Sequence, residues 1–476
     1  MKLLNWLKEN FLFWAIGFLL LFIPLYPKFP LLSVPGTYVA VRLEDFLVAV
    51  VVGSWFILFF LRRPGQFLNQ ILVKLFLLYF LIGGLSLVSA ILITKNIIPH
   101  IAFLHYLRRI EYMSLLFVAY ASCRRIKDVK FYGLILALAT TGVIIYGMGQ
   151  KFFGWPVVST MNQEFSKGLI LKLTWWARVS STFAGHYDLA AYLVLVLSLS
   201  VAFFAALRGW KIKLLILIFA IFSFYLLILT ASRISLAAYL VAVTFVLVSL
   251  KKYWWLPLVL SFSLLGMLAS EDISQRYAAT FKIDLSFLRG GIMVRPAVVS
   301  LPMPSPLPTI APPVAAVRPK FGPGGKLLPT PTLTPTPLPL PAEPVESTEL
   351  AVSRSTDIRL KVEWPRAIRA FAKNPLLGTG YSSITLATDN DYLRMLGETG
   401  ILGALAFLAI FLEISRRVIF FLRKTESEFS KSIVLGIAGA MVGFFLNAVF
   451  IDVFEASKVA FVFWILMGIM LKTIDL

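Results

Sequence analysis

Charge is scarce in this chain: 14% of its 476 residues are charged, against 59% hydrophobic. A soluble domain of that length needs a charged skin. The apolar residues instead come in long runs that suit a bilayer better than a buried core. Cysteine occurs once, at Cys123, which excludes an internal disulfide framework and a cysteine-cluster metal site. The three histidines, His100, His105 and His186, lie far apart and show no metal-ligand spacing. Acid is scarcer than base, leaving a net charge of +21. That excess does not point to nucleic acid, because no basic stripe interleaves with aromatics. Lys2 and Lys8 precede an apolar run as in a signal peptide, but no small-residue cleavage site follows and the run ends in Pro24-Leu25-Tyr26-Pro27. It reads as a retained first helix.

A membrane-crossing helix needs about 20 apolar residues. Runs of that kind cover residues 10–27, 43–61, 71–94, 99–122, 129–149, 187–207, 212–231, 233–250, 254–270, 397–414, 432–451 and 457–473. The fold expected is an all-α integral membrane protein of about twelve transmembrane helices. The basic clusters support that count. Lys2 and Lys8, Arg62-Arg63, Arg124 to Lys130, Arg208 to Lys213, Lys251-Lys252, Arg416 to Lys431 and Lys472 all fall on one face if twelve spans alternate. By the positive-inside rule that face is cytoplasmic, with both termini on it.

Transmembrane helices one to nine then occupy residues 1–270, an extracytoplasmic loop 271–396, and helices ten to twelve 397–476. Within the loop, residues 295–345 hold sixteen of the 26 prolines. Proline fixes φ and removes backbone donors, so this stretch favours polyproline II or disorder and reads as a spacer, or as a partner-binding or glycosylated stalk. Residues 355–373 read as amphipathic helix, with Ile358, Val362, Ile368 and Phe371 on one face and an interruption near Pro365.

Ionised side chains inside a span are costly, so each is a candidate site. His105, Arg108, Arg109 and Glu111 fall in the fourth span, where Arg108 and Glu111 stand at the i,i+3 spacing of a helical ion pair. Arg178, before the sixth span, and Arg233, at the turn between the seventh and eighth, lie on the outer face against the positive-inside trend. Arginine presents a planar fork of donors suited to phosphate oxygens, so the pair suits a lipid diphosphate; snorkelling to lipid phosphates is the alternative. Asp389-Asn390-Asp391-Tyr392 precedes the tenth span, with Glu398 at its start. A carboxylate there caps free N–H groups or takes a proton from an incoming hydroxyl.

Four stretches in this order resemble the O-antigen ligase and O-antigen polymerase superfamily of bacterial membrane glycosyltransferases. They are Arg178 with Ser181-Thr182-Phe183 and His186; Thr230-Ala231-Ser232-Arg233; Arg359, Trp364, Ala367, Pro375, Gly378 and Gly380; and Asn390-Asp391-Tyr392-Leu393 with Leu396, Glu398-Thr399-Gly400 and Leu402-Gly403. The resemblance spans roughly residues 130–420 and leaves the Pro-rich segment as an insertion. It implies a GT-C-type fold in the bacterial cytoplasmic (inner) membrane. The reaction implied is inverting, metal-independent and cofactor-free: a glycan moves from undecaprenyl diphosphate to an acceptor glycan, glycolipid or protein hydroxyl. Arg178, Arg233 and Arg359 would hold the diphosphate, Asp389 and His186 would be catalytic, and Asn390, Tyr392 and Glu398 would support the motif. Many members carry histidine before the asparagine of the fourth stretch, where this chain has Asp389. That departure puts the acceptor in doubt. The rival reading is a transporter of a small anionic solute such as bicarbonate, with Arg108, Arg109 and Glu111 along its path. It lacks the internal repeat that transporters usually show. A scaffold acting through the Pro-rich loop is the third reading.

Overall fold

The computed structural model describes residues 2–35, 37, 40–61, 70–158, 170–174, 177–270, 358–384 and 388–476. The Pro-rich stretch 295–345 and the start of the amphipathic segment lie outside the described residues. The chain is mostly helical. In order, α1 is Lys2–Leu25, followed by a hairpin of β1 (Pro30–Ser33) and β2 (Ala40–Arg42), then α2 (Leu43–Leu61). The third helix, α3 (Ile71–Ser89), continues as a π-helical turn over Ala90–Thr94. Then come α4 (Pro99–Ser122), α5 (Ile126–Phe153), and a second hairpin of β3 (Pro156–Val158) and β4 (Ile170–Lys172). The bundle goes on through α6 (His186–Ala206), α7 (Trp210–Leu229), α8 (Arg233–Ser249) and α9 (Trp255–Ala269). After a π-helical turn at Arg359–Glu363 come α10 (Trp364–Lys373), α11 (Asp391–Lys424), α12 (Glu428–Asn447) and α13 (Ser457–Ile474).

Among the described residues, seven helices are long and apolar enough to cross a membrane: α3 with its π turn, α5, α6, α7, α11, α12 and α13. This is the build of a multi-pass membrane protein. The core gathers around α13, which is buried on nearly all sides. Its Phe463 and Trp464 meet Phe411, Phe444 and Phe454 in an aromatic cluster. Against α6 and α8, α12 presents Gly436, Gly439 and Gly443; a Cβ at any of them would collide with Ala202, Val246 or Val194. Small residues let helix backbones approach where water supplies no driving force. By contrast, α7 and α9 turn broad apolar faces outward.

Several boundaries differ from the sequence reading: α1 begins at Lys2, ahead of the run over 10–27, and α11 extends to Lys424. The helix expected over 397–414 begins at Asp391, because the Asn390 side chain accepts from Leu393 N at 2.9 Å and caps it there. The interruption expected near Pro365 takes the form of a change of helix type, from a π turn over Arg359–Glu363 to α-helix from Trp364. Pro365 sits in the first turn of α10, where a missing N–H is tolerated.

The two ends of the bundle differ. At one, Tyr120 reaches Asp475, Lys130 lies over Phe429, and Lys213 lies over Phe204. We term this the basic end. At the other, α1's C-terminus, the 178–186 loop and the turns 229–233 and 447–458 converge. Charges of both signs are buried there, and this is the mixed-charge end.

Candidate functional site

The site at the mixed-charge end is built on a locked loop. Gln150 clamps Ser181 both ways, its Oε1 accepting from Ser181 N at 2.8 Å and its Nε2 donating to Ser181 O at 2.9 Å. Ser181 Oγ donates to Val143 O at 2.7 Å, and Thr182 Oγ1 donates to Pro24 O at 2.5 Å. These bonds hold Ser181 at a φ of 50°, a left-handed value that a serine adopts only under such restraint. The loop delivers His186 to the first position of α6. Arg178 Nη1 stands 2.8 Å from His186 Nε2. A guanidinium has only donors, so Nε2 accepts and the imidazole is neutral. Val179 N donates to Leu229 O at 3.2 Å, which ties this loop to the turn bearing Arg233, half-buried at the start of α8.

Opposite, Arg359 donates to Asp389 Oδ2 from Nε at 2.9 Å and from Nη2 at 2.8 Å. It also hydrogen-bonds Tyr187, the neighbour of His186. Asp452 straps the backbone on both sides of Asp389, accepting from Thr388 N at 2.9 Å and Asn390 N at 3.2 Å. Asp389 itself has a φ of 48°. Burial raises its pKa and Asp452 adds to the rise, against the lowering effect of Arg359. Nearby, burial and then Asp389 push Glu363 up to about 7.

The remaining expected residues hold this arrangement together. Asn390 caps α11, and Tyr392 OH donates to Phe445 O at 2.9 Å. Glu398 accepts from Ser382 N at 3.2 Å and lies 4.0 Å from Arg394. Residues 375–380 run against a kink in α11. Thr379 N donates to Gly397 O, Gly380 N to Glu398 O, and Ile401 N to Pro375 O, each at 2.9 Å. The kink sits at Gly400, with a φ of 65°, and Gly378 faces it with a φ of 71°. A Cβ at Gly378 would strike the Glu398 backbone, and one at Gly400 the Leu376 backbone. Glycine is required at both positions.

Of the sequence-derived residues, the structure pairs Arg178 with His186 and Arg359 with Asp389, and Tyr187 links the two pairs. Arg359 is thus turned to Asp389. Arg108 and Glu111 do not form the suggested helical pair. Arg108 Nη2 lies 4.0 Å from Asp45, and Glu111 Oε1 has no hydrogen-bond partner among the described residues. Arg108 and Arg109 project about 100° apart on α4 and so reach different neighbours.

The sequence reading missed Lys28, Arg109's partner Glu455, Asp452, Arg394 and Lys458. Glu455 forms an ion pair with Arg109. Burial raises its pKa, but the guanidiniums of Arg109 and Arg394 outweigh that and hold it down to about 2. Lys28 stands 3.7 Å from Asp188, and burial lowers its pKa to about 8. Lys458 donates to Thr182 O at 2.8 Å, to Pro24 O at 3.4 Å and to Tyr26 O. A signal existed: Asp452, Glu455 and Lys458 sit at spacings of three beside two otherwise apolar runs. Among the described residues no three His, Cys, Asp or Glu side chains form a group able to hold a metal ion. No family model and no curated protein sequence matches the chain.

Proposed function

We propose that the chain is a membrane glycosyltransferase of the O-antigen ligase and polymerase kind, moving a glycan from undecaprenyl diphosphate to an acceptor hydroxyl. In this reading twelve helices, α1 to α9 and α11 to α13, cross the bacterial cytoplasmic membrane. Both termini face the cytoplasm, so the mixed-charge end lies outside, as does the 271–396 connection. One observation carries the reading: Arg178–His186 and Arg359–Asp389, joined through Tyr187, gather guanidiniums and a carboxylate of raised pKa beside the turn of Arg233.

The chemistry follows from those groups. Asp389 takes the proton of the acceptor hydroxyl. The freed oxygen bonds to the anomeric carbon as the bond from that carbon to the diphosphate oxygen breaks. The leaving diphosphate carries away the electron pair, and Arg178 and Arg233 neutralise its charge. Neutral His186 accepts from Arg178 and keeps that guanidinium aimed. Arg359 orients Asp389 and is the one residue reassigned from diphosphate binding. Reconstitution with a lipid-linked glycan tests this. Arg178→Ala and Arg233→Ala should each lose transfer by about 10²–10³-fold, the scale of a lost charge-stabilising donor. Full transfer by both variants removes the diphosphate role.

A carrier of a small anion is the second reading. It draws on a cavity of about 360 Å³ beside the first hairpin, lined by Asp45, His105, Arg108 and Glu111 among others. Substrate-dependent uptake into vesicles with no glycan product would put it first.

A further inference from the structure

Residues 189–270 carry six cations, Arg208, Lys211, Lys213, Arg233, Lys251 and Lys252, and not one acid. Five of them, all but Arg233, stand in the α6–α7 and α8–α9 turns or in the first turn of α7, at the basic end. Between α6, α7, α8 and α9 lies a groove of about 780 Å³. It exists because α9 stands off the bundle: only Ser263 of that helix is buried. Its walls are apolar, including Leu197, Leu217, Phe224 and Leu265, and among the described residues Lys213 and Lys252 are the cations that line it.

The ammonium of Lys213 is held in place. It lies 5.3 Å over the Phe204 ring, and Phe204 in turn meets Trp255 edge-on at 5.3 Å. Trp254 is 93% exposed and Trp210 72% exposed on the same turns. Exposed tryptophans beside lysines mark the depth of lipid headgroups. The groove therefore has an apolar body and a cationic mouth at headgroup level.

We propose that this groove binds one diacyl phospholipid with an anionic headgroup, its acyl chains along α7 and α9 and its phosphodiester on Lys213 and Lys252. Charge decides the class. A net-negative headgroup meets two lysines with no carboxylate in the surrounding sequence to compete, whereas a choline headgroup would set a third cation beside them. The site lies at the opposite end of the bundle from the proposed chemistry and does not depend on it.

The test uses the full chain, purified in detergent, stripped of lipid and offered phosphatidylglycerol or phosphatidylcholine, with retained lipid counted by native mass spectrometry. The wild type should retain phosphatidylglycerol over phosphatidylcholine. Joint Lys213→Gln and Lys252→Gln substitution should weaken that retention about thirtyfold, each lysine contributing roughly a factor of five. Ala220→Trp, which fills the groove, should abolish it. Lys211→Gln with Lys251→Gln, which removes equal charge outside the groove, should retain lipid like the wild type. Melting temperatures check that each variant is folded. Equal retention of the two lipids, no retention at all, or full retention by the Lys213 and Lys252 double variant overturns the proposal.

Discussion

The two ends of the bundle use the same residue types for different work. At the basic end, cations rest on aromatic rings and face outward: Lys130 lies 4.6 Å from the Phe429 centroid and Lys424 4.1 Å from that of Phe420, both exposed. Ion pairing there is local, as where Arg416 and Arg417 of α11 share Glu413 of the same helix. At the mixed-charge end the pairs cross the fold. Arg109 meets Glu455, Arg394 meets Asp452, and Arg108 meets Asp45. Exposed charge is cheap and replaceable, so it serves to orient helices. Buried charge is tolerated only when paired, so it commits distant segments to one geometry.

The largest effect should come from breaking a cross-fold pair. Glu455→Ala leaves the Arg109 guanidinium buried without its partner and should destabilise the protein by about 3–5 kcal/mol. Thermal melting of the purified chain checks this. Joint Arg109→Met and Glu455→Met substitution should recover most of the loss, and failure to recover would show that neither charge is dispensable for packing.

Next comes the proposed base. Asp389→Asn should cut glycan transfer by about 10²–10⁴-fold, the range for losing a general base. Arg359→Gln should act differently. The guanidinium holds the Asp389 pKa below what burial would give, so its removal moves the acid limb of the pH–rate profile upward. An unmoved limb would separate Arg359 from the base.

A smaller, pH-dependent effect belongs to Glu363. Its pKa is raised from 4.5 to about 7, chiefly by burial, so the folded state favours the neutral acid. Its contribution is greatest below 4.5, is lost as pH rises from there to about 7, and changes no further above that. Glu363→Gln should flatten that part of the melting-temperature profile. The smallest effect is at the basic end, where Lys130→Gln should leave the melting temperature unchanged. A large drop would erase the distinction between the two ends.

The apolar runs were legible because hydropathy acts locally, and a described helix lies on each of them, though α1 starts at Lys2 and α11 ends at Lys424, well beyond their runs. Arg178 and His186 were legible as one motif because eight residues separate them. Glu455 was not. Its partner lies 346 residues away, and no local pattern tells which of two adjacent arginines will face it. The kink at Gly400 was hidden for another reason. Residues 397–414 read as one apolar run, and only the strap from residues 375–380 reveals why the backbone must turn there. His186 and Asp389 were legible as residue types. Their linkage through Tyr187 and Arg359 needed the fold.

Lys458 reaches the carbonyl oxygens of Pro24, Tyr26 and Thr182 from the first turn of the last helix. During synthesis the chain leaves the ribosome from its N-terminus at about 5–20 residues per second. The end of α1 and the loop before α6 can bond to each other through Thr182 and Pro24 once both have emerged, but the Lys458 contacts wait until residue 458 has been made. A product cut short before residue 458 would carry every arginine of the site without the knot that ties α1's end and the loop before α6 to α13.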